Sequence, residues 1–564
     1  MTHRRKITAQ LLAGRANLSL MTWMLVFVTF VVCNAAWADG NVRYSAFCGG
    51  LDLAGDGYRV RGDMKAGRFS FRTSDGSREW VDFAVAAAVN GRGLGPLTLV
   101  NGETESRSVE TFTLVYTNAS AHAELVFLPT KAVFRLTLSA SAATAPVRTL
   151  TLGGGSRTDS DYLFDPSVDR QPGHEFPTAV TRTIQPGLAS PPPWVFSYGK
   201  EGRAGCWSVA LEPARERINF NAFRHESDVA ARTLGWTVTY PVCAALAGEL
   251  RAPPLVLRFG DADFFAALGR HVEDLKAEGK MIVPARKLPD WHRRTLACTW
   301  RFQREEPRTE QANEVQCEKF VKMLEDAGID FGTLIIDDFW GRERGLWEAD
   351  SKKWKSLRGF IDRQHAKGRH VLLWVCTDGT GLPADERQGG LNWNLESPAF
   401  QARLKASARR LLSDEPGCYD ADGVKFDFTS TSPADYGTCR DVGCGYLLKR
   451  FEMLSAALLA VKPTAILDYQ CTNPYFTHTL TMLRLNDYFG VPEHGFREMR
   501  TRAQIARICA PGALIDTDHI GYSDYSYKGG EEFFRRAHEL GVPSLYLCPK
   551  DLEDDELVEI LRMK

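Results

Sequence analysis

The residues with the clearest chemical potential lie in Gly423-Val-Lys-Phe-Asp-Phe-Thr429, where Lys425 and Asp427 stand two apart in an apolar run. Strand residues two apart face the same side. A buried lysine and aspartate are costly unless they pair or react. The pattern fits either an ion pair inside a barrel or a nucleophilic carboxylate that Lys425 keeps charged. Ile336-Asp-Asp-Phe-Trp340 sets two adjacent acids, Asp337 and Asp338, at the end of another apolar run. Adjacent carboxylates repel, so they need hydroxyls or a cation as partners. Arg484-Leu-Asn-Asp487 adds an arginine and a further acid, and Trp300, Trp340, Trp347 and Trp374 add flat apolar faces. Sugars offer hydroxyls to carboxylates and lysine, and C–H faces to tryptophan. Hydrolysis of a glycosidic bond needs two carboxyl groups across that bond. On this reading Asp427 attacks and Asp487 protonates the leaving oxygen, holding its proton at a rim position beside Tyr488.

These residues need a scaffold that gathers them. From Arg294 onward, strand-length apolar runs alternate with amphipathic segments. The expected strands are Thr295–Arg301, Gly332–Phe339, His370–Cys376 and Gly423–Thr429, then Ala465–Cys471, Met482–Tyr488, Ala513–Asp518 and Ser544–Cys548. Helical periodicity marks Glu310–Ala327, Ser351–Lys367, Pro398–Leu412, Tyr446–Val461, Arg497–Cys509, Glu531–Leu540 and Asp551–Met563. Only Asn473–Thr481 is left for the fifth helix. Eight such units predict a (β/α)8 TIM barrel, whose active sites lie at the C-terminal strand ends. Apart from Trp347, in the loop after strand two, the residues named above fall at such ends, with Gln470, Asp516, Asp518 and His519. An isolated aspartate there often caps the next helix, which is the plain reading of Asp378 and Asp518.

Residues 39–260 read as an antiparallel β-sandwich. Thr111–Thr117, Ala123–Leu128, Ala132–Leu138, Trp236–Tyr240 and Leu255–Phe259 are strand-like, and Gly, Asn and Pro clusters separate the strands. Pro191-Pro-Pro-Trp194 is a loop. No site motif appears in this half. Residues 261–289 form a helical linker, with Phe264, Phe265, Leu268, Val272 and Leu275 at helical spacing, and 290–564 form the barrel.

The N-terminus carries Arg4, Arg5, Lys6 and Arg15, an apolar run from Leu18 to Cys33, and Ala36-Trp37-Ala38. This is the pattern of a secretory signal peptide over residues 1–38, cleaved after Ala38, and predicts a secreted or periplasmic protein. The run is near the lower length limit of a membrane anchor, which is the alternative. A net charge of −1 gives no reason to expect nucleic acid as a partner. No paired CxxC or histidine cluster points to zinc, and the chemistry proposed needs neither metal nor organic cofactor. Cys439 and Cys444 share a Gly-rich stretch and are the expected disulfide.

Three of these motifs together resemble the α-galactosidase-like glycoside hydrolases, family 36 and its clan D relatives. Ile336-Asp-Asp-Phe-Trp340 is similar to the family's Asp-Asp-Gly-Trp, and Gly345-Leu-Trp-Glu-Ala-Asp350 to the loop that follows it. Lys425-Phe-Asp427 resembles the Lys-x-Asp of strand four, and Arg484-Leu-Asn-Asp487 the arginine and acid of strand six. The resemblance implies a retaining enzyme that releases terminal α-galactosyl residues. Asp427 is then the nucleophile and Asp487 the acid/base. Asp337, Asp338, Lys425 and Arg484 hold hydroxyls, and Trp300, Trp340, Trp347 and Trp374 wall the pocket. Two positions depart from the family. Phe339 replaces a glycine, and Tyr488 stands where the family places the acid, which keeps Asp516 and Asp518 as alternative acids. A clan-related transglycosylase, an α-N-acetylgalactosaminidase and a non-catalytic carbohydrate-binding protein remain alternative functions.

Overall fold

A computed structural model of the chain describes Trp37–Asp39 and most of 42–563; residues 1–36 and loops that include 104–111, 185–194, 428–443 and 520–528 lie outside the described residues. Most of the signal-like segment, the Pro191–Trp194 loop, Asp378 and Cys439 therefore lie outside them. Among the described residues no helix is long and apolar enough to cross a membrane.

The first half is antiparallel. Six strands between Trp37 and Ala84 form a meander, and further strands build a ten-stranded and a six-stranded sheet. Alternation drives this packing: in Arg68–Thr73, Phe69 and Phe71 turn inward while Ser70 stays half-exposed. Phe71 stacks on Phe259 of Leu255–Asp261 at 4.3 Å, and Phe134 meets Phe69, Phe71, Phe83 and Phe127. The meander is thereby sealed onto the larger sheet by aromatic side chains, which bury the most apolar area per residue.

Helix Phe264–Ala277 follows, capped by the Asp263 side chain on Ala266 N at 2.8 Å. It buries Leu268, His271, Val272 and Leu275. The sandwich also bonds directly to the barrel. Tyr475 Oη donates to Pro213 O at 2.9 Å, and Arg215 pairs with Glu452 at 2.6 Å.

The second half is a parallel barrel of eight strands. These are Leu296–Cys298, Thr333–Ile336, His370–Cys376, Gly423–Asp427, Ile466–Tyr469, Met482–Arg484, Leu514–Asp516 and Ser544–Leu545. Each pairs with its sequence neighbour, the eighth returns to the first, and a parallel bridge between Asp516 and Val542 completes the ring. Helices occupy six of the intervals between strands and follow the eighth, while the fifth connection is the short 3-10 turn Pro474–Thr479. The fourth strand opens on Gly423, φ 158°, where a Cβ would lie 2.2 Å from Ile466 O. Only glycine lets strands four and five approach there.

Most strands end earlier than their apolar runs. The first stops at Cys298, and Trp300–Gln303 is a helical turn. Of the eight described non-glycine residues at positive φ, four sit on the C-terminal rim: Phe339 (73°), Trp347 (51°), Asn486 (64°) and Asp518 (53°). Bulky aromatics in that conformation are strained, and such strain collects at functional sites.

Candidate active site

The barrel lining is layered. Leu296, Ile335, Leu372, Ile466 and Met482 belong to one buried apolar cluster. Toward the C-terminal ends the lining turns charged, with Asp337, Lys425, Asp468, Arg484, Asp516 and Asp518 all buried. Period-two alternation produces this, since 425 and 427, 468 and 470, 516 and 518 share faces.

Lys425 Nζ donates to Asp337 Oδ2 at 2.5 Å and lies 3.7 Å from the Cys298 sulfur, which itself donates to Asp337 at 3.0 Å. Asp337 is thus the direct partner of Lys425, and Asp427 acts on it through a weaker charge interaction. Lys425 reaches across the barrel interior to the end of strand two, with strand three between them. Burial would lower the Lys425 pKa, and the Asp337 charge outweighs it, so the ammonium is kept.

Asp427 is only half-buried. Trp374 Nε1 donates to its Oδ2 at 3.3 Å, and Arg484 NH1 lies 3.6 Å from its Oδ1. The Gln470 amide, oriented by its neighbours, donates to the same Oδ1 at 2.9 Å and accepts from Arg484 NH1 at 3.1 Å. Asp487, also half-buried, meets the other arm of that guanidinium, with NH2 3.7 Å from Oδ1. The two carboxylates thus lie against different nitrogens of one guanidinium.

The loop bearing Asp487 is pinned from behind. Arg502 NH1 donates to the carbonyls of Leu485, Asn486 and Asp487 at 3.0, 3.1 and 3.3 Å. Tyr488 donates its N–H to His519 O at 3.0 Å and packs on the core. The left-handed Asn486 thus turns Asp487 toward Arg484 and His519. His519 Nδ1 lies 3.1 Å from Asp487 Oδ1, and its ring stacks on Tyr546 at 4.5 Å. Burial would lower the imidazole's pKa; the Asp487 charge and hydrogen bond lift it to about 9.

The alternative acids differ. Asp518 is fully buried and pairs with Arg484 NH2 at 2.9 Å. Burial would raise its pKa, but Arg484 and then His519 hold it well below the carboxylate range. Asp516, raised to about 6 by burial and by Asp518, is also fully buried. Asp487, Asp518 and His519 offer ligand atoms within 4.8 Å of one another, a spacing that suits a cation. Arg484 already supplies positive charge there.

The tryptophans divide by role. Trp374 touches Asp427. Trp340 and Trp347 are buried and donate to the carbonyls of Trp374 (2.7 Å) and Cys376 (3.4 Å), so they brace the third strand end. Trp300 is half-buried and stacks on Phe339, centroids 6.5 Å apart. Asp338 is bound by Arg344, whose only signal in the sequence is its position in the loop after Asp337-Asp338. His519 and Gln470 are legible there as strand-end residues without a role, because their partners come from other strands.

The architecture, a β-sandwich followed by a (β/α)8 barrel, is that of glycoside hydrolases of the α-galactosidase type. No family model matches the chain, and no curated protein matches it. Solved structures do. The chain is similar to the galactosidase domain of the α-galactosidase–sucrose kinase AgaSK, with 13% identity, TM-score 0.53, 93% of this chain and 85% of that one covered. It is similar to the GH36 α-galactosidase AgaB from Geobacillus stearothermophilus, with 12% identity, TM-score 0.53 and the same coverage. A third is a variant of the GH36 α-galactosidase AgaA from the same organism in complex with 1-deoxygalactonojirimycin, with 12% identity, TM-score 0.52, and 94% and 85% covered. At these identities the likeness is one of fold.

Proposed function

We propose that this chain is a retaining α-glycosidase that releases terminal α-galactosyl or closely related residues. One observation carries the reading: Asp427 and Asp487, from strands four and six, sit on the two arms of the Arg484 guanidinium. Asp427 attacks the anomeric carbon as the bond to the leaving oxygen breaks. That oxygen takes a proton from Asp487, which draws it from the protonated His519 3.1 Å away. Asp487 then accepts a proton from water and passes it back to His519, while the water hydrolyses the glycosyl ester and frees Asp427. Arg484 stabilises whichever carboxylate is ionised and excludes neither. The galactosyl preference rests on the α-galactosidases that share the fold. The basic, apolar and small-residue order of the N-terminus supports an exported enzyme.

Incubation with a 2-deoxy-2-fluoro-α-galactosyl fluoride, followed by peptide mapping, tests the scheme. The label is expected on the peptide that contains Asp427. A label on another acid would reassign the nucleophile, and tight sugar binding without label or turnover would make this a carbohydrate-binding protein.

A further inference from the structure

Phe339 stands at φ 73°, and the loop after it brings Arg344 back over the barrel rim. Arg344 donates through NH2 to Asp338 Oδ2 and through Nε to Oδ1 at 3.3 Å. The same guanidinium lies 5.3 Å from the Phe339 ring centre and 5.6 Å from that of Trp374. Trp374 donates to Asp427. One indole therefore reaches the proposed nucleophile with its N–H and a fixed guanidinium with its face. An indole covers about the area of one sugar ring. A sugar whose anomeric carbon lies at Asp427 would extend its far side toward Arg344.

A rim arginine is ordinarily mobile. This one is held by a carboxylate and two rings, so the entropy of ordering it is spent before any ligand arrives. It is still 38% exposed. Arg308 adds a second guanidinium, 5.5 Å from the Phe339 ring. Lys353 lies over the same ring, but its ammonium donates to the carbonyls of Arg308, Gln311 and Phe339 and so fastens two loops together. Among the described residues, the acids acting on this rim include Asp338, on Arg344, and Asp350 and Glu310, near Lys353. With Arg344 on both oxygens of Asp338, that carboxylate has less acceptor capacity for the hydroxyls of a neutral sugar. The guanidinium that takes its place has five N–H donors and suits an oxyanion.

We propose that the pocket takes a sugar that carries an anionic group, a carboxylate or a sulfate, on its exocyclic carbon, and that Arg344 is the residue that selects it. The orientation of the sugar rests on the glycosidase reading. Titration calorimetry tests the selection, on the unmodified chain and, free of turnover, on Asp427→Asn. The ligands are methyl α-D-galactopyranoside, the matching 6-carboxylate and the matching 6-sulfate, with the gluco epimers in parallel. At least one anionic sugar is expected to bind about tenfold or more tightly than its neutral parent, the scale of a charge-assisted hydrogen bond. The better of the two anions identifies the group. Added salt should narrow the gap, Arg344→Gln should close it, and Arg344→Lys should keep part of it. Equal binding of neutral and anionic sugars, or a gap that survives Arg344→Gln in a variant with unchanged melting, overturns the proposal. The salt dependence of the unmodified chain decides the matter if Arg344→Gln does not fold. Anion-selective binding with no labelling of Asp427 would instead count against the hydrolase reading alone.

Discussion

The two ends of the barrel both hold buried charges, and they are arranged differently. At the N-terminal end, Asp422 precedes the fourth strand. It accepts from Val371 N at 2.9 Å and from His365 at 2.8 Å, with His370 at 3.3 Å and Lys462 at 3.5 Å. Asp420 beside it meets Lys462 at 2.9 Å. Here cations and backbone donors crowd each acid. At the C-terminal end acids outnumber cations, with Asp427, Asp487 and Asp518 around Arg484 and the His519 imidazolium. Positive-φ aromatics surround that end, and two of its acids remain half-exposed. An acid already saturated by cations has nothing left to offer a ligand. Acids that outnumber their cations and stay half-open to solvent, as Asp427 and Asp487 do, keep lone pairs for a reacting group.

The largest effect expected from breaking this contrast is on catalysis. Asp427→Asn is nearly isosteric and removes the attacking charge. Turnover of an aryl α-glycoside should fall by roughly 10⁴-fold or more. The denaturant midpoint should hold or rise slightly, because crowded functional carboxylates cost stability. A variant that keeps its rate, or that loses its fold, would put Asp427 in the same class as Asp422.

Asp422→Asn should do the reverse. It leaves cations short of their acid and should cost about 2 kcal/mol or more of stability, with kcat little changed while the chain stays folded. Stability against pH carries the sign. Burial would raise the Asp422 pKa, but His365 and His370 hold it low, so its contribution is present above about 4 and fades as pH falls through the lowered value. The His365 pKa is raised by its bond to Asp422, so its contribution is full below about 6.5 and is lost as pH rises through the raised value. Melting followed from pH 3 to 9 should show both flanks in the parent chain and flattened flanks in Asp422→Asn. Unchanged flanks would remove the distinction between the ends.

The scaffold is legible in the sequence to a degree set by periodicity. His370–Cys376, Pro398–Leu412 and Glu531–Leu540 have the boundaries that their patterns predict. The strand that ends at Ile336 stops three residues short of its predicted end, because Asp337, Asp338 and Phe339 are inward or rim residues that look like strand while the ladder has stopped. The acids of the site are visible as residues. Their partners mostly are not: Arg344 serves Asp338 from within the same loop, while Lys425 serves Asp337 and His519 serves Asp487 across strands. Such pairs depend on barrel register, which no spacing within one segment encodes.

The smallest expected effect separates the roles within the rim. His519 faces Asp487 and Asp518, stacks on Tyr546, and has Arg484 close by on Asp518. Burial opposes its charge, and the two carboxylates sustain it, so the imidazolium persists up to about pH 9. If it feeds protons to Asp487, kcat/KM should decline as pH rises through about 9. His519→Gln can still donate a hydrogen bond but cannot carry a proton, so that alkaline limb should disappear and the rate near neutrality should fall by roughly tenfold. An imidazolium that merely supports the fold would give another result: a shifted melting curve with the limb intact. The pH profile thus shows whether a rim cation acts on the chemistry or, like the cations at the opposite end, only on the fold.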